Sequence, residues 1–251
     1  MGFRLRTAGW HLLGSVLVFA VVLGALYVGW YRWPAWYLAG ALPVTTAMTG
    51  ADLVLGPLTT LLIAAPAKPR RVLARDIAAI VAMQLAFLAF ASYTLWNGRP
   101  LYYTFSAERL ELVRAFEIPP QERALAERLN PEFAPHWYSR PRWVWAALPP
   151  DPKAAEAIVR SAVDGGLDVI DMPRFFRPWQ DGLPQLRGAL RPIAAMTNIA
   201  LRQREQVRAR MHELGLPLNQ PNAILMAGRD DPLVAIYDPA TLQPRALLRT
   251  R

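Results

Sequence analysis

A chain of 251 residues that is 53% hydrophobic and only 19% charged, with a mean hydropathy of +0.15, carries more apolar side chain than one water-soluble domain of that size buries, so part of it belongs in a membrane. Its net charge of +9 comes from scattered arginines, without zinc-finger spacing or an aromatic and glycine RNA-binding box, which argues against nucleic acid as a partner. The absence of cysteine excludes disulfide stapling, thiolate metal sites and a cysteine nucleophile together.

Arg4 and Arg6 precede an unbroken apolar run from Leu12 to Val28. The run exceeds the ~7–15 residues of a signal-peptide core, and no small-x-small cleavage site leads into a polar mature sequence, so a retained helix is expected. Trp30, Tyr31, Trp33, Trp36 and Tyr37 at its far end suit the headgroup layer, where an amphipathic ring has its flat body in lipid and its polar atom in water.

The next stretch, Gly40 to Ala65, is long enough to span, since about 20 helical residues cover a hydrocarbon core of roughly 30 Å. It carries Asp52 near its middle, then Gly56 and Pro57. Proline removes a backbone donor and crowds the preceding turn, so a kink or local break is expected. An aspartate at mid-bilayer costs about 2.5–3.5 kcal/mol on insertion scales, which turns it toward protein, water or a partner. One reading bonds Asp52 to Thr45, Thr46, Thr49 or a neighbouring helix; the other brings it into direct contact with a partner. Small residues four apart, such as Thr46 and Gly50 or Ala47 and Ala51, permit close packing of the spans.

A basic connection containing Lys68, Arg70, Arg71 and Arg75 leads into a third run, Ile77 to Trp96, with Gln84 placed for an interhelical hydrogen bond. Counting short flanks, one side holds those four cations with Arg4 and Arg6, and the other holds only Arg32. Positive-inside bias therefore puts the N-terminus in the cytoplasm and everything after Asn97 across the membrane, in the periplasm of a Gram-negative cell.

From Arg99 the texture changes to short alternating runs. Pro100–Phe105 and Arg109–Val113 read as strands joined by a turn at Ser106 to Glu108, and Trp143–Leu148 as a third. Pro119–Arg128 reads as a short helix ending near Asn130-Pro131. Asp151-Pro152 is a helix start, with Ala155, Ile158, Val159, Ala162 and Val163 as one apolar stripe and Gly165-Gly166 as its stop. Leu167–Pro178 reads as a loop or short strand. A longer helix is expected from Pro192 to Leu214, with Ala200, Val207, Met211 and Leu214 inward and with Arg202, Arg204, Arg208 and Arg210 decorating it. Such a charge run is ordinarily a solvated face and alternatively a docking surface or anionic-lipid contact. Ala223–Ala227, Leu233–Tyr237 and Ala246–Leu248 form a meander with turns at Asp230-Asp231-Pro232 and Asp238-Pro239. The expected architecture is a three-helix transmembrane domain, residues 1–98, followed by a periplasmic α+β domain, residues 99–251, with a small antiparallel sheet.

Chemistry is hard to find. His11, His136 and His212 are far apart, and no HExxH pair, phosphate-binding glycine loop or GxSxG elbow is present. No zinc site, nucleotide cofactor or serine nucleophile is therefore expected, nor any other cofactor. Asp164, Asp168 and Asp171 form a small acidic cluster that would bind a cation if folded together, although such aspartates more often end helices and solvate loops. A carboxylate pair for glycoside chemistry can be assembled from anywhere in a fold, and nothing here selects one.

Three motifs together resemble one known family. Ala51–Ile63 (ADLVLGPLTTLLI), Arg99–Val113 (RPLYYTFSAERLELV) directly after the third span, and Gly165–Trp179 (GGLDVIDMPRFFRPW) resemble the TfpX/TfpZ-type type IV pilin accessory proteins, to which the FimB pilus proteins are similar. The resemblance implies a non-enzymatic, pilin-specific chaperone or assembly factor of the inner membrane, whose partner is the type IV major pilin. Asp52, Gly56 and Pro57 are then expected to meet the pilin membrane helix while the outer domain reads its head. Arg202, Arg204 and Arg208 are the expected docking residues for other inner-membrane components of the pilus machine or for membrane lipid. Two rivals remain at this stage: a membrane-anchored periplasmic enzyme acting on pilin or envelope glycans, and a scaffold or sensor within the pilus machine.

Overall fold

The computed structural model describes residues 2–197, 199–229 and 232–250. The chain divides into two compact units, the first comprising the chain up to Arg32 with Ala41–Gly98, and the second Trp33–Gly40 with Arg99 onward.

The first unit holds three helices long and apolar enough to cross a membrane by length and composition, Gly2–Tyr31, Leu42–Ile63 and Arg70–Asn97. The first consists of α1 (Gly2–Leu26) and one wide π turn, Tyr27–Tyr31. The single turn α2 (Ala35–Leu38) belongs to the second unit. The second span is α3 (Leu42–Thr49), a π stretch over Gly50–Leu55, and α4 (Gly56–Ile63); the third is α5 (Arg70–Asn97). Leu13, Leu17, Val21, Leu62, Met83 and Phe90 are exposed, an apolar exterior that only lipid or protein covers at low cost. Two members of the aromatic cluster tie the end of the first span to the end of the third. Tyr31 is buried and donates to the Leu95 carbonyl at 2.7 Å, and Trp30 meets Trp96 edge-on at 5.0 Å.

In the second unit a seven-stranded sheet runs β4-β3-β1-β2-β5-β6-β7, from β1 (Pro100–Ser106), β2 (Arg109–Arg114), β3 (Arg142–Ala146), β4 (Phe176–Pro178), β5 (Ala223–Ala227), β6 (Leu233–Tyr237) and β7 (Pro244–Arg249). It is larger than expected and mixed rather than antiparallel, because β1 pairs with β3 and β2 with β5 in parallel. Helices α6 (Pro120–Leu129), α7 (Pro152–Val163), α8 (Leu183–Ala189) and α9 (Leu201–Glu213) accompany it. One core gathers at β1 and β3, where Tyr102 and Phe176 meet edge-on at 4.9 Å among Val144, Ile158 and Ile170. The other packs Val207 and Met211 of α9 on Val234, Ile236 and Leu248.

Asp151 caps α7 as expected, accepting from the Ala154 N–H at 3.1 Å, and Gly165 follows the helix at φ +78°. The apolar stripe is narrower than its spacing implies: Ile158 is buried, but Val159 and Val163 are 49% and 80% exposed. The helix expected from Pro192 to Leu214 is confined to Leu201–Glu213, preceded by a separate 3-10 turn at Ile193–Ala195. Ala200 and Leu214 are exposed, leaving Val207 and Met211 as the inward pair. The two aspartates of the expected Asp230-Asp231-Pro232 turn lie outside the described residues.

Residues 33–40, read from sequence as part of the transmembrane domain, pack instead into the second unit. Ala35 and Leu38 are fully buried there. Arg229 donates its N–H to the Leu38 carbonyl at 2.7 Å, and the Arg249 guanidinium lies over Trp33 at 5.3 Å and Tyr37 at 4.8 Å. Gly228 makes the approach possible, since a Cβ there would fall 2.5 Å from the Leu38 carbonyl oxygen. Two of the aromatic residues after the first span, Trp33 and Tyr37, thus stack on a cation of the sheet.

Candidate functional site

A polar cluster lies among the apolar helices of the first unit, and the second span builds it. Within the π stretch the Gly56 N–H reaches back five residues to the Ala51 carbonyl. The next donor in that register would be residue 57, which is proline and has none, so the Asp52 carbonyl is left without a helical partner. Gln84 of α5 fills the place, donating its side-chain N–H to the Asp52 carbonyl at 2.9 Å. This is the interhelical hydrogen bond expected of Gln84, and its acceptor is backbone freed by Pro57.

Gly56 makes room for that amide. A Cβ at residue 56 would lie 2.0 Å from Gln84 Nε2, so a side chain there and the Gln84 carboxamide cannot coexist. With Nε2 committed to donation, Gln84 Oε1 is an acceptor and receives His11 Nε2–H from α1 at 2.7 Å. In the tautomer that carries its proton on Nε2, Nδ1 accepts from the Thr60 hydroxyl, 2.5 Å away on α4, so that one tautomer satisfies the chain Thr60–His11–Gln84–Asp52 carbonyl. His11, remote in sequence from Gln84 and Thr60, gave no signal of this role.

The Asp52 side chain does something different from its carbonyl. The residue is 4% exposed, and among the described residues its Oδ2 has no hydrogen-bond partner. Of the three threonines considered as partners, two are engaged with their own helix, Thr45 donating to the Ala41 and Leu42 carbonyls and Thr49 to the Thr45 carbonyl, and Thr46 is exposed. Asp52 forms part of the wall of a cleft of about 740 Å³ lined by α1 and α5, including Trp10, His11, Val18, Gln84 and Leu85. A carboxyl group buried without a donor costs several kcal/mol unless a donor arrives, so such a cleft favours an apolar occupant that carries one.

In the second unit the arginines of α9 have separate tasks. Arg204 donates to the Ala194 and Met196 carbonyls at 3.3 Å each, tying the helix to the turn before it. Arg202 and Arg208 are exposed. The acidic residues are also dispersed in role. Asp164 follows the last turn of α7, Asp168 accepts from Arg109 and from the Val169 N–H, and Asp171 accepts from the Asp168 N–H. Burial pushes Asp171 up to about 6, with Glu117, Glu111 and Asp168 adding repulsion. Burial raises Glu111 too, against the pull of Arg109. Among the described residues no three His, Cys, Asp or Glu are gathered to hold a metal ion.

The chain is similar to fimbrial assembly proteins of Dichelobacter nodosus. That of serogroup I is 24% identical over 222 residues, 87% of this chain and 84% of the relative. That of serogroup E1 is 22% identical with the same coverage, and that of serogroups C1 and C2 is 25% identical over 116 residues, 46% of this chain and 88% of the relative. No family model and no solved structure matches. The similarity to relatives of that name, over most of this membrane-anchored chain, agrees with its resemblance to the FimB-like accessory proteins of type IV pili.

Proposed function

We propose that this chain is a multi-pass inner-membrane accessory protein for type IV pilus assembly, with its N-terminus in the cytoplasm and its α+β domain in the periplasm. It works as a pilin chaperone without chemistry of its own. The observation that carries the reading is the cleft between α1 and α5 with Asp52 in its wall, the Oδ2 atom of which has no hydrogen-bond partner among the described residues. A pilin awaiting assembly has an apolar helix in the same bilayer and a periplasmic head. The cleft takes the helix, and a donor on that helix satisfies Asp52; the outer domain contacts the head. Two weak contacts on one partner raise effective concentration without either being tight.

The test is photocrosslinking in cells that express the major pilin. Probes at Val18 and Leu85, which line the cleft, are compared with probes at Leu17 and Met83, which are exposed outside it. Pilin adducts are expected from the first pair and not from the second, and Asp52→Asn should reduce their yield several-fold. Equal capture from all four positions, or capture of lipid alone, would refute the reading.

A further inference from the structure

The sheet has two edges, and only one is blunted. β4 is three residues long and ends in Pro178, two ordinary devices against strand addition. β7 is six residues long, and among the described residues no strand pairs with its outer side. The direction of its backbone bonds follows by alternation along β6. Tyr237 donates its N–H toward β5, to the Asn222 carbonyl at 2.7 Å. Val234 and Ile236 therefore bond outward to Leu248 and Ala246, and the backbone groups of Leu247 and Arg249 are left at the open edge.

A groove of about 670 Å³ runs along this edge, with Gln206, Ala209 and Arg210 of α9 on one wall and Trp33 of the strap on the other. A free strand edge flanked by a helix is the geometry in which an extended peptide adds as one more strand, its main chain supplying affinity and its alternate side chains specificity. The charges state what kind of peptide. Arg245 is paired with Asp238 and Arg210 with Glu213. Arg249 is held by the two aromatic rings, and among the described residues no carboxylate pairs with it. A second copy of β7 laid antiparallel would bring Arg245 and Arg249 of the two copies together, which like-charge repulsion disfavours.

We propose that the open edge of β7 binds an extended segment of a partner protein by strand addition, and that the segment carries an acidic side chain opposite Arg249. This is independent of the membrane cleft, so either site stands if the other fails.

The full-length protein in nanodiscs is titrated against fluorescein-labelled hexapeptides that alternate Thr and Val, with one Thr replaced in turn by Glu or by Lys. At least one Glu peptide should bind at least 10-fold more tightly than its Lys counterpart. Methylating that peptide's backbone nitrogens should abolish binding, and Leu247→Pro, which removes an edge N–H without touching the β6 bonds, should weaken it at least 10-fold. Absence of binding by every Glu peptide at 1 mM, equal binding of the Lys series, or full binding of the N-methylated peptide would each overturn the proposal. So would a dimer of the protein that Leu247→Pro dissociates, because a second copy would then own the edge.

Discussion

Gly56→Ala tests the intramembrane cluster most directly. The backbone at Gly56 is already helical, at φ −61°, so alanine fits it and gains about 1 kcal/mol in helix propensity. Its methyl, however, would lie 2.0 Å from Gln84 Nε2 and 2.3 Å from Cδ, and the carboxamide must swing away. The His11–Gln84 bond is lost, worth about 0.6 kcal/mol for an average interhelical bond in a membrane protein. The Asp52 carbonyl is stranded as well, since Pro57 cannot serve it, at about 1–3 kcal/mol. The losses come to roughly 2–4 kcal/mol and the net destabilisation to roughly 1–3 kcal/mol. In a Gln84→Ala background the amide is already gone, and Gly56→Ala should be neutral or stabilising by up to about 1 kcal/mol. A double-mutant cycle by reversible denaturant unfolding in mixed micelles measures this difference. If Gly56→Ala costs the same in both backgrounds, the account of Gly56 as space for Gln84 is wrong.

Gly228→Ala should release the strap, because the new methyl meets Leu38 backbone at 2.5 and 2.8 Å and backbone cannot step aside as a side-chain tip can. Deburying Leu38 costs about 1.5–3 kcal/mol, so hydrogen exchange over residues 33–40 should accelerate at least 10-fold, and unchanged protection would contradict the packing described. The second unit should gain stability on acidification from pH 7.5 to 5. The Asp171 carboxyl is raised in the fold to about 6, so its ionised form opposes folding; that penalty is complete above about 6 and disappears toward 3.8, and raised Glu111 acts with the same sign. Asp171→Asn should therefore raise Tm at pH 7.5 and flatten its pH dependence, and a mutant profile parallel to wild type would exclude Asp171 as the cause. Asp151→Ala removes the cap of α7 and should lower stability by about 0.5–2 kcal/mol, read as a drop in Tm with β-sheet circular dichroism retained at low temperature.

The sequence was informative wherever structure is local. The three spans follow from hydropathy, the β1–β2 hairpin from alternation and α7 from Asp151-Pro152, each signal contained within a few turns of chain. What escaped depends on pairings distant in sequence. The parallel registers of β1 with β3 and β2 with β5 leave no periodic trace, and a meander with a separate hairpin reads the same with or without them. At the site, Asp52, Gly56 and Pro57 stood out because their residue types are costly in a bilayer, and Gln84 for the same reason. His11 lay just before the apolar run and so drew no such attention. The helix expected from Pro192 was overextended because Pro is compatible with a helix start, yet here it opens only a 3-10 turn before Ala200. The strap gave no sign of itself in the sequence: tryptophan and tyrosine after an apolar run suit a headgroup layer, and the burial of Ala35 and Leu38 in the second unit depends on chain more than sixty residues away.

Because Trp33–Gly40 completes the second unit, that unit is stitched from two separate lengths of chain, each continuous with a span. A protease cutting after Gly98 would liberate nothing, since the interior segment would still hold the rest of the second unit and remain covalently continuous with a span on both sides. A secreted fragment beginning at Arg99 would, for the same reason, leave the seat of Leu38 vacant and aggregate unless the missing octapeptide were supplied in trans.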